Sequence, residues 1–324
     1  MSKPKRVLTG IKPTGELHLG NYLAAIKPGL KWQENNECLF FIADLHALIT
    51  NKDPKAIHSD SLDQVAAWIA LGLDVKKHIL WKQSDNPSVT EFTWYLSCVT
   101  GLGLLEKAHA YKDALAQGKE VNHGLFAYPA LMASDILMYD TDVVPVGKDQ
   151  KQHIEFARDM AGSFNAIYGE RIIKLPEASI VEAVMTVPGL DGRKMSKSYN
   201  NYIPLFADEK SLRKLVMSIK SDSTPLEAPK ELEGSLIGDL YKLFTTDSEF
   251  RDLSLRMKNG GMGWGHAKEE LAQMINRELS APREKYNEIR KDEKHLNSVL
   301  KEGLGRAREI SEPVLQRVRR AVGF

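Results

Sequence analysis

The chain has 324 residues, which is enough for about two domains that each bury a hydrophobic core. Hydrophobic residues make up 43% and charged residues 27%, a composition that excludes a disordered chain and an integral membrane protein. The formal net charge of +1 gives no overall attraction to nucleic acid, although it is compatible with a local basic face.

Cysteine content and hydropathy narrow the class further. Cys38 and Cys98 are too few for a disulfide framework and too far apart for a metal knuckle. The N-terminal stretch MSKPKRVLTG is basic but has no apolar segment after it, and no run approaches the roughly 20 residues of a membrane span. We therefore expect a cytoplasmic enzyme that does not interact with a membrane.

Strand-like and helix-like segments alternate in the first half of the chain. The runs RVLTGI, CLFFIAD, HILWKQ and VVPVG each predict a strand. Two helices are predicted from apolar residues at helical spacing, which are Leu62, Val65, Ala66 and Ile69 in one and Ile154, Ala157, Ala161 and Phe164 in the other. Strand, helix, strand in this order predicts an α/β fold with a Rossmann-like parallel sheet.

The pattern changes after about residue 205. Amphipathic segments follow one another without an evident strand, and they read SLRKLVMSIKS, SLIGDLYKLFTT, AKEELAQMINRELSAPREKYNEIRKD, HLNSVLKEGLGRAREI and PVLQRVRRAVGF. We expect residues 1–205 to form the α/β domain and residues 206–324 an all-α domain.

The stretch GIKPTGELHLGNY, residues 10–22, leads from the first predicted strand into a helical pattern. Ligands of open parallel sheets bind beyond the carboxyl ends of the strands, so this turn lies where a nucleotide would bind. It matches neither GxxxxGK[ST] nor GxGxxG, which argues against a P-loop kinase and a dinucleotide dehydrogenase. A tight structural turn with a capping histidine is the alternative interpretation.

A second polar stretch, GRKMSKSYNN at residues 192–201, lies at the predicted junction of the two domains. It places Lys194 and Lys197 three residues apart and interleaves them with Ser196 and Ser198. Ammonium groups form charge-assisted hydrogen bonds with phosphate oxygens, so the segment suits a triphosphate. A solvated surface loop is the alternative.

Together the two stretches resemble the signatures of class I aminoacyl-tRNA synthetases. HLGN, residues 18–21, resembles the HIGH signature, and KMSKS, residues 194–198, is the second signature in unaltered form. The resemblance implies an ATP-dependent ligase that releases AMP and pyrophosphate, with His18, Asn21, Lys194 and Lys197 in catalysis. It also implies Mg²⁺ bound with ATP, and neither zinc nor an iron–sulfur cluster.

The segment GLFAYPALMASDILMYDTDVVPVGKDQKQHIEFARDMAGSFN, residues 124–165, is similar to bacterial-type tryptophanyl-tRNA synthetases. Those enzymes have a near-identical Y-P-x-L-M-A-x-D-I-L run followed by V-P-V-G-x-D-Q-x-Q-H. The resemblance implies a connective insertion at about 105–165 within the catalytic domain and an anticodon-binding role for residues 206–324. The implied partners are L-tryptophan, ATP, tRNA(Trp) and a second copy of the chain in a homodimer.

The resemblance also implies two sets of binding residues. The set for ATP is Lys12, Thr14, His18, Gly20, Asn21, Gly147, Asp149, Gln150, Met195, Ser196 and Lys197. The set for tryptophan is His46, Tyr128, Met132, Asp135, Val144, Val146 and Gln150. Chemistry supports Asp135 independently, because an indole needs apolar walls and one buried acceptor for its N–H. The surrounding LMASDILMY is too apolar for a solvated carboxylate.

Two positions depart from the bacterial tryptophanyl pattern. Lys12 stands where many of these enzymes have glutamine, and Ala114 stands where they have a lysine. We hypothesise that Lys12 takes over a phosphate contact of the missing lysine and so acts in catalysis. Five arginines near the end of the chain either follow tRNA phosphates or lie on a solvated face, and they are Arg306, Arg308, Arg317, Arg319 and Arg320.

Two other functions stay open at this point. A tyrosyl-tRNA synthetase would place a phenol against Asp135, but the run VPVGKDQKQH and Asn21, where those enzymes tend to have histidine, fit it less well. A synthetase-like protein that binds tryptophan or tRNA without aminoacylation is the other alternative. Such a binding module has no need of both phosphate-handling signatures.

Overall fold

The central element is a parallel sheet of five strands in the order β3-β2-β1-β4-β5. The computed structural model describes residues 4–146, 151–180 and 186–324. The strands are β1 (Arg6–Ile11), β2 (Glu37–Ile42), β3 (Ile79–Lys82), β4 (Val143–Val146) and β5 (Glu177–Ile180). The Rossmann-like parallel sheet is confirmed, and its strand order reverses between β1 and β4, the position at which open α/β sheets bind ligands.

Fourteen α-helical segments lie in the described part of the chain. They are α1 (Leu19–Asn21), α2 (Lys27–Lys31), α3 (Asp44–Ala47), α4 (Pro54–Ala70), α5 (Ser88–Cys98), α6 (Leu102–Leu105), α7 (His109–Ala116), α8 (His123–Leu137), α9 (Lys151–Tyr168), α10 (Glu209–Met217), α11 (Leu236–Lys242), α12 (Asp247–Lys258), α13 (Trp264–Ile289) and α14 (Glu293–Val322). Within residues 4–146, 151–180 and 186–324, none of these helices combines the length and apolarity that crossing a bilayer requires.

The chain divides into two compact units. Unit 1 comprises Met1–Gly15, Gly29–Ala183 and Asp292–Phe324, and unit 2 comprises Glu16–Pro28 and Val184–Lys291. The division differs from the predicted boundary at residue 205 in three respects. KMSKS, which was predicted within the α/β domain, groups with the helical unit. The HLGN segment groups with the helical unit, and the last helix, α14, groups with the sheet.

Unit 1 buries its sheet on both faces. β2 is buried from Cys38 to Ile42, as expected for a central strand of a parallel sheet. On one face, Phe40 packs against Trp68 of α4 with ring centroids 4.7 Å apart. On the other, Phe41 stacks on Trp81 within a core that includes residues of α5, α8, α9 and α14. Both predicted helical stripes are buried, which confirms them.

The helix α14 packs directly on β3, which the sequence did not predict. The two predicted C-terminal segments form one helix of 30 residues, about 45 Å long, with Pro313 inside it. The contact is so close that a Cβ at Gly303 would lie 1.9 Å from the carbonyl oxygen of Leu80. Glycine at this position therefore permits the helix to approach the strand.

Arginines attach α14 to the rest of unit 1. Arg306 donates to the carbonyl oxygens of Lys77 and His78 at 2.7 and 3.0 Å. Arg308, Arg317 and Arg319 bind, respectively, the Asp85 carbonyl oxygen, the Asp140 carboxylate and the Glu91 carboxylate. The guanidinium groups of these four arginines are thus held by unit 1, and Arg308 is exposed.

Unit 2 is helical. The Asp208, Ser235 and Thr246 side chains cap α10, α11 and α12 by accepting hydrogen bonds from backbone N–H groups of the first turn. The buried residues Leu212, Leu240, Leu253, Leu271 and Ile275 form its interior. The long helix α13 packs against α10 and α11.

Candidate active site

Three polar residues lie at the carboxyl edge of the sheet in unit 1. Lys12 follows β1, His46 lies in α3 directly after β2, and Gln83 follows β3. Parallel strands present their carboxyl ends at the same edge, so consecutive loops bring these side chains into one region. The edge that the sequence analysis predicted for ligand binding is thus built from polar groups.

A buried hydrogen-bond network surrounds Asp135 of α8. Asp135 is 3% exposed, which confirms the predicted burial of its side chain. Its Oδ2 atom lies 3.0 Å from His46 Nε2, and the Gln83 Nε2 amide donates to both carboxylate oxygens at 2.8 Å. Gln83 is itself fixed, because its Oε1 atom accepts from the Leu45 N–H at 3.1 Å.

Opposing effects act on the charge of Asp135. Burial raises the pKa of this carboxyl group, while the hydrogen bond and charge of His46 and the amide of Gln83 lower it. A second buried carboxylate, Asp44, accepts from the Ser84 N–H at 2.9 Å and from the Ser84 hydroxyl. Two buried carboxylates with fixed donors create a strongly directional acceptor site beside the sheet.

The predicted apolar wall residues lie in unit 1. Met132, Val144 and Val146 are half-buried and pack against the core of unit 1. The Tyr128 hydroxyl lies 3.4 Å from His153 Nε2, and burial raises the pKa of Tyr128. Three predicted ligand contacts, Gly147, Asp149 and Gln150, lie outside the described residues.

A cavity of about 830 Å³ opens beside Tyr128. Its other walls include Leu45, Leu48, Thr90 and Leu131. Asp135 does not line it, so the cavity and the buried carboxylate are separate features of unit 1.

The turn after β1 is held by a side chain of α4. Gly15 has φ +76°, a conformation that favours glycine, and its N–H donates to Asp60 Oδ2 at 2.7 Å. Lys12 Nζ donates to the Thr50 hydroxyl at 3.1 Å, and burial lowers the pKa of Lys12. Thr14 is exposed in the same turn.

The HLGN segment lies in unit 2, where it pairs with the chain that follows KMSKS. The Leu19 N–H donates to the Ile203 carbonyl at 3.0 Å, and the Leu205 N–H donates to the Leu17 carbonyl at 2.8 Å. His18 and Pro204 form an antiparallel bridge between these pairs. Asn21 Oδ1 accepts from the His18 N–H at 3.0 Å and so closes the first turn of α1.

A methionine joins the two signatures. The Gly20 N–H donates to the sulfur of Met195 at 3.3 Å, and the Met195 side chain is 4% exposed. A Cβ at Gly20 would lie 2.9 Å from the His18 ring, so glycine is needed for the ring to lie over the turn. HLGN and KMSKS therefore form one structural assembly within unit 2.

His18 is buried beside a cation. Its side chain is 7% exposed, and Nδ1 has no hydrogen-bond partner among the described residues. Burial and the nearby Lys197 ammonium lower the pKa of His18 to about 4, so the ring is neutral at pH 7. A neutral ring with a buried, unpaired nitrogen is able to accept or donate one hydrogen bond to a ligand.

The structure adds residues that the sequence analysis missed. Gln83 and Asp44 follow buried strands, a position that signals the carboxyl edge of a parallel sheet. Asn201 is 3% exposed and bonds to the backbone of KMSKS at Ser196. Its only sequence signal is a position three residues after the end of the signature.

Comparisons with known proteins agree with this geometry. The chain matches the family model described as tRNA synthetases class I (W and Y) over residues 1–280. It is 46% identical over 319 residues to a tryptophan–tRNA ligase of Campylobacter jejuni, which covers 98% of this chain and 100% of that protein. A tryptophan–tRNA ligase of Rhodopirellula baltica is 45% identical and covers 98% of this chain and 99% of its own length.

A solved structure gives the same result. The crystal structure of tryptophanyl-tRNA synthetase from Campylobacter jejuni complexed with ADP and tryptophan aligns with a TM-score of 0.93 at 46% identity. The match covers 98% of this chain and 100% of that one.

Proposed function

The chain belongs to the class I tRNA synthetases for tryptophan and tyrosine, and on this premise we propose how its residues attach tryptophan to tRNA(Trp) with ATP. In the first step a carboxylate oxygen of L-tryptophan attacks the α-phosphate of ATP. The bond to the β-phosphate breaks, and tryptophanyl-adenylate and pyrophosphate form. In the second step the terminal adenosine of the tRNA accepts the tryptophanyl group, and AMP leaves.

The proposed activation of tryptophan by ATP rests mainly on the association of HLGN with KMSKS. The HLGN turn and the KMSKS segment are held together through the Leu19–Ile203 and Gly20–Met195 hydrogen bonds. This arrangement fixes a neutral histidine beside a lysine ammonium in one polar assembly. Phosphoryl chemistry needs such groups in fixed positions more than it needs a covalent catalyst.

The ATP contacts follow from the hydrogen-bonding groups that this assembly presents. His18 would donate to or accept from a phosphate or ribose oxygen through its buried ring. The Asn21 side chain uses Oδ1 to bind the His18 N–H, which leaves its N–H groups to donate to the nucleotide. Ser196 and Met195 shape the segment, and Gly20 keeps the backbone of the turn accessible.

Lys194 and Lys197 would neutralise the departing pyrophosphate. Their contribution grows as charge gathers on the β- and γ-phosphates in the transition state. Among the described residues, no group of three or more His, Cys, Asp or Glu side chains is arranged to hold a metal ion. As the family resemblance implies, Mg²⁺ would be bound together with ATP, and the ion supplies further charge neutralisation when bound.

Asp135 would accept the indole N–H of tryptophan. An ionised carboxylate has about four lone-pair sites, and His46 and Gln83 leave room for one more donor. Phenylalanine has no N–H, so its binding would leave the buried acceptor unpaired and be disfavoured by about 10⁴-fold. Met132, Val144 and Val146 would wall the ring, and Tyr128, Gln150 and His46 would serve the α-ammonium and carboxylate.

Lys12 remains our candidate for the charge that is missing at Ala114. Ala114 is 7% exposed, so a long cationic side chain would not be accommodated there without rearrangement. Lys12 lies in the turn after β1, and burial lowers its pKa. Thr14, Gly147, Asp149 and Gln150 are further proposed ATP-binding residues, as the family resemblance implies.

The remaining assignments rest on the family. We propose that the helical region of unit 2 reads the anticodon of tRNA(Trp), where unstacked bases are accessible to side chains. A homodimer and a cytoplasmic location are further proposals. They rest on the family resemblance alone.

The test is exchange of labelled pyrophosphate into ATP, measured in parallel with tryptophan, tyrosine and phenylalanine. The specificity variant is Asp135→Asn, and the matched control is Asp159→Asn, which changes an exposed aspartate of α9 in the same way. We expect exchange with tryptophan alone and a loss of about 10- to 100-fold in the Asp135→Asn variant, because a charged acceptor is lost.

The outcomes separate the possible functions. Exchange with tyrosine would overturn the tryptophan assignment. No exchange with any of the three amino acids would indicate a binding protein without activation chemistry. Equal losses in the Asp135 and Asp159 variants would show that the carboxylate does not determine specificity.

A further inference from the structure

The KMSKS signature begins in the second arm of a short hairpin. The Met195 N–H donates to the Val187 carbonyl at 2.8 Å, and the Gly189 N–H donates to the Arg193 carbonyl at 2.7 Å. Gly192, with φ +85°, makes the tight turn between the two arms. After Met195 the backbone next meets this hairpin at Asn201.

The side chain of Asn201 adds hydrogen bonds to the KMSKS backbone and to the hairpin. Its Oδ1 atom accepts from the Ser196 N–H at 2.8 Å. Its Nδ2 group donates to Asp191 Oδ1 at 2.6 Å and to the Lys194 carbonyl at 3.2 Å. The one acceptor and both donors of the amide are thus used, in a side chain that is 3% exposed.

The neighbours of Asn201 are built around this role. The backbone carbonyl of Asn201 accepts from the Leu190 N–H at 2.8 Å. A Cβ at Gly189 would lie 2.4 Å from Asn201 Nδ2, so glycine makes room for the amide. Asp191 also accepts from the Arg193 guanidinium at 2.7 Å, and the Asn201 amide and Arg193 lower the pKa of Asp191 to about 2.

These contacts determine where the two signature lysines leave the backbone. The Lys194 carbonyl and the Ser196 N–H flank Met195 and lie between the attachment points of Lys194 and Lys197. We propose that Asn201 is a positioning residue for both lysines and acts on the activation step through them. The inference rests on the proposed function, in which these ammonium groups meet the departing pyrophosphate.

A positioning role predicts a specific kinetic pattern. Because the lysines act mainly on the transition state, Asn201→Ala should lower the kcat of tryptophan-dependent exchange by about 10- to 100-fold and leave the KM for tryptophan within about twofold. Asn165→Ala is the matched control. Asn165 also clamps backbone with both ends of its amide, to the Ile173 N–H at 2.9 Å and carbonyl at 2.8 Å, but in unit 1.

A charge swap distinguishes positioning from general loss of structure. Asn201→Asp keeps the acceptor for Ser196 but removes both donors and places a carboxylate against Asp191, so it should lower kcat at least as much as alanine does. Adding Asp191→Asn restores the hydrogen bond between positions 191 and 201, because the amide at 191 now donates to the carboxylate at 201. The double variant should regain at least about fivefold in kcat over Asn201→Asp alone.

Limited trypsin cleavage at Arg193, Lys194 and Lys197 provides a readout that does not need activity. Cleavage within 193–197 should be faster in Asn201→Ala than in the wild type and unchanged in Asn165→Ala. The proposal is overturned if kcat in Asn201→Ala stays within twofold of the wild type, if Asn165→Ala shows the same kcat loss, or if the swap gives no recovery. Absence of exchange in the wild type would refute the proposed function instead. In that case, an unchanged cleavage rate in Asn201→Ala would independently refute the positioning role of Asn201.

Discussion

The buried His18 should make the free energy of unfolding depend on pH, and one substitution should remove this dependence. Burial and the Lys197 ammonium lower its pKa from 6.5 to about 4. The unfolded chain keeps a value near 6.5. Stability from the neutral ring is therefore fully present above pH 6.5 and is lost as the pH falls towards about 4, because the unfolded state takes up the proton first.

The magnitude follows from the pKa difference. One pKa unit corresponds to about 1.4 kcal/mol, so the gap between 6.5 and about 4 limits the whole effect to about 3 kcal/mol. At pH 5 the ring is almost fully protonated in the unfolded chain and about one-tenth protonated in the folded one. The free energy of unfolding should then be about 2 kcal/mol lower than at pH 7 on account of His18 alone.

Urea denaturation of the wild type and of His18→Gln at pH 7 and pH 5 measures this effect. The other titrating groups contribute alike to both proteins, so the difference between their pH dependences isolates His18. The wild type should lose about 2 kcal/mol more than the variant between the two pH values. Equal losses would refute the reasoning, as would an NMR titration that places the pKa of His18 above 6.

Three further substitutions test contacts elsewhere. Gly303→Ala places a Cβ 1.9 Å from the Leu80 carbonyl oxygen, whereas Gly305→Ala meets nothing within 4 Å. The first should therefore lower the free energy of unfolding in urea by about 2 kcal/mol or more relative to the second. Gln83→Leu removes a donor from the buried carboxylate of the proposed tryptophan site, so the KM for tryptophan in the exchange assay should rise by about tenfold or more while the KM for ATP stays the same. Lys12→Gln should raise the KM for ATP several-fold without changing that for tryptophan, and an unchanged ATP dependence would end the idea that this lysine replaces a missing charge.

The sequence predicted the elements whose own residues show a pattern. Four strands of the sheet and the helices α4 and α9 were predicted, because apolar runs and helical stripes report burial directly. β5 was missed, since four residues reading EASI show neither an apolar run nor a clear alternation. The break expected before Pro313 does not occur, since a proline costs a helix one hydrogen bond and packing along the rest of α14 offsets it.

The placement of α14 shows a second limit of sequence patterns. An amphipathic stripe indicates that one face of a helix is buried, but it does not identify the surface that covers it. The predicted all-α domain therefore included a helix that packs on β3. Gly303 was the informative residue, because its lack of a side chain permits contact with the backbone of β3. A glycine within a helical pattern, however, has no unique interpretation without a structure.

Sequence analysis singled out charged residues that lie within motifs. It missed two neutral amides that hold such residues in place. Gln83 connects the Asp135 carboxylate to the Leu45 N–H, and Asn201 connects Asp191 to the KMSKS backbone. An amide has both a donor and an acceptor, so one side chain is able to join a carboxylate to the main chain without adding charge. This neutrality is important for the proposed binding of a polyanion and a zwitterion, because a lysine or glutamate at either position would change the local field as well as the geometry. In both places an uncharged buried amide fixes the position of a charged carboxylate.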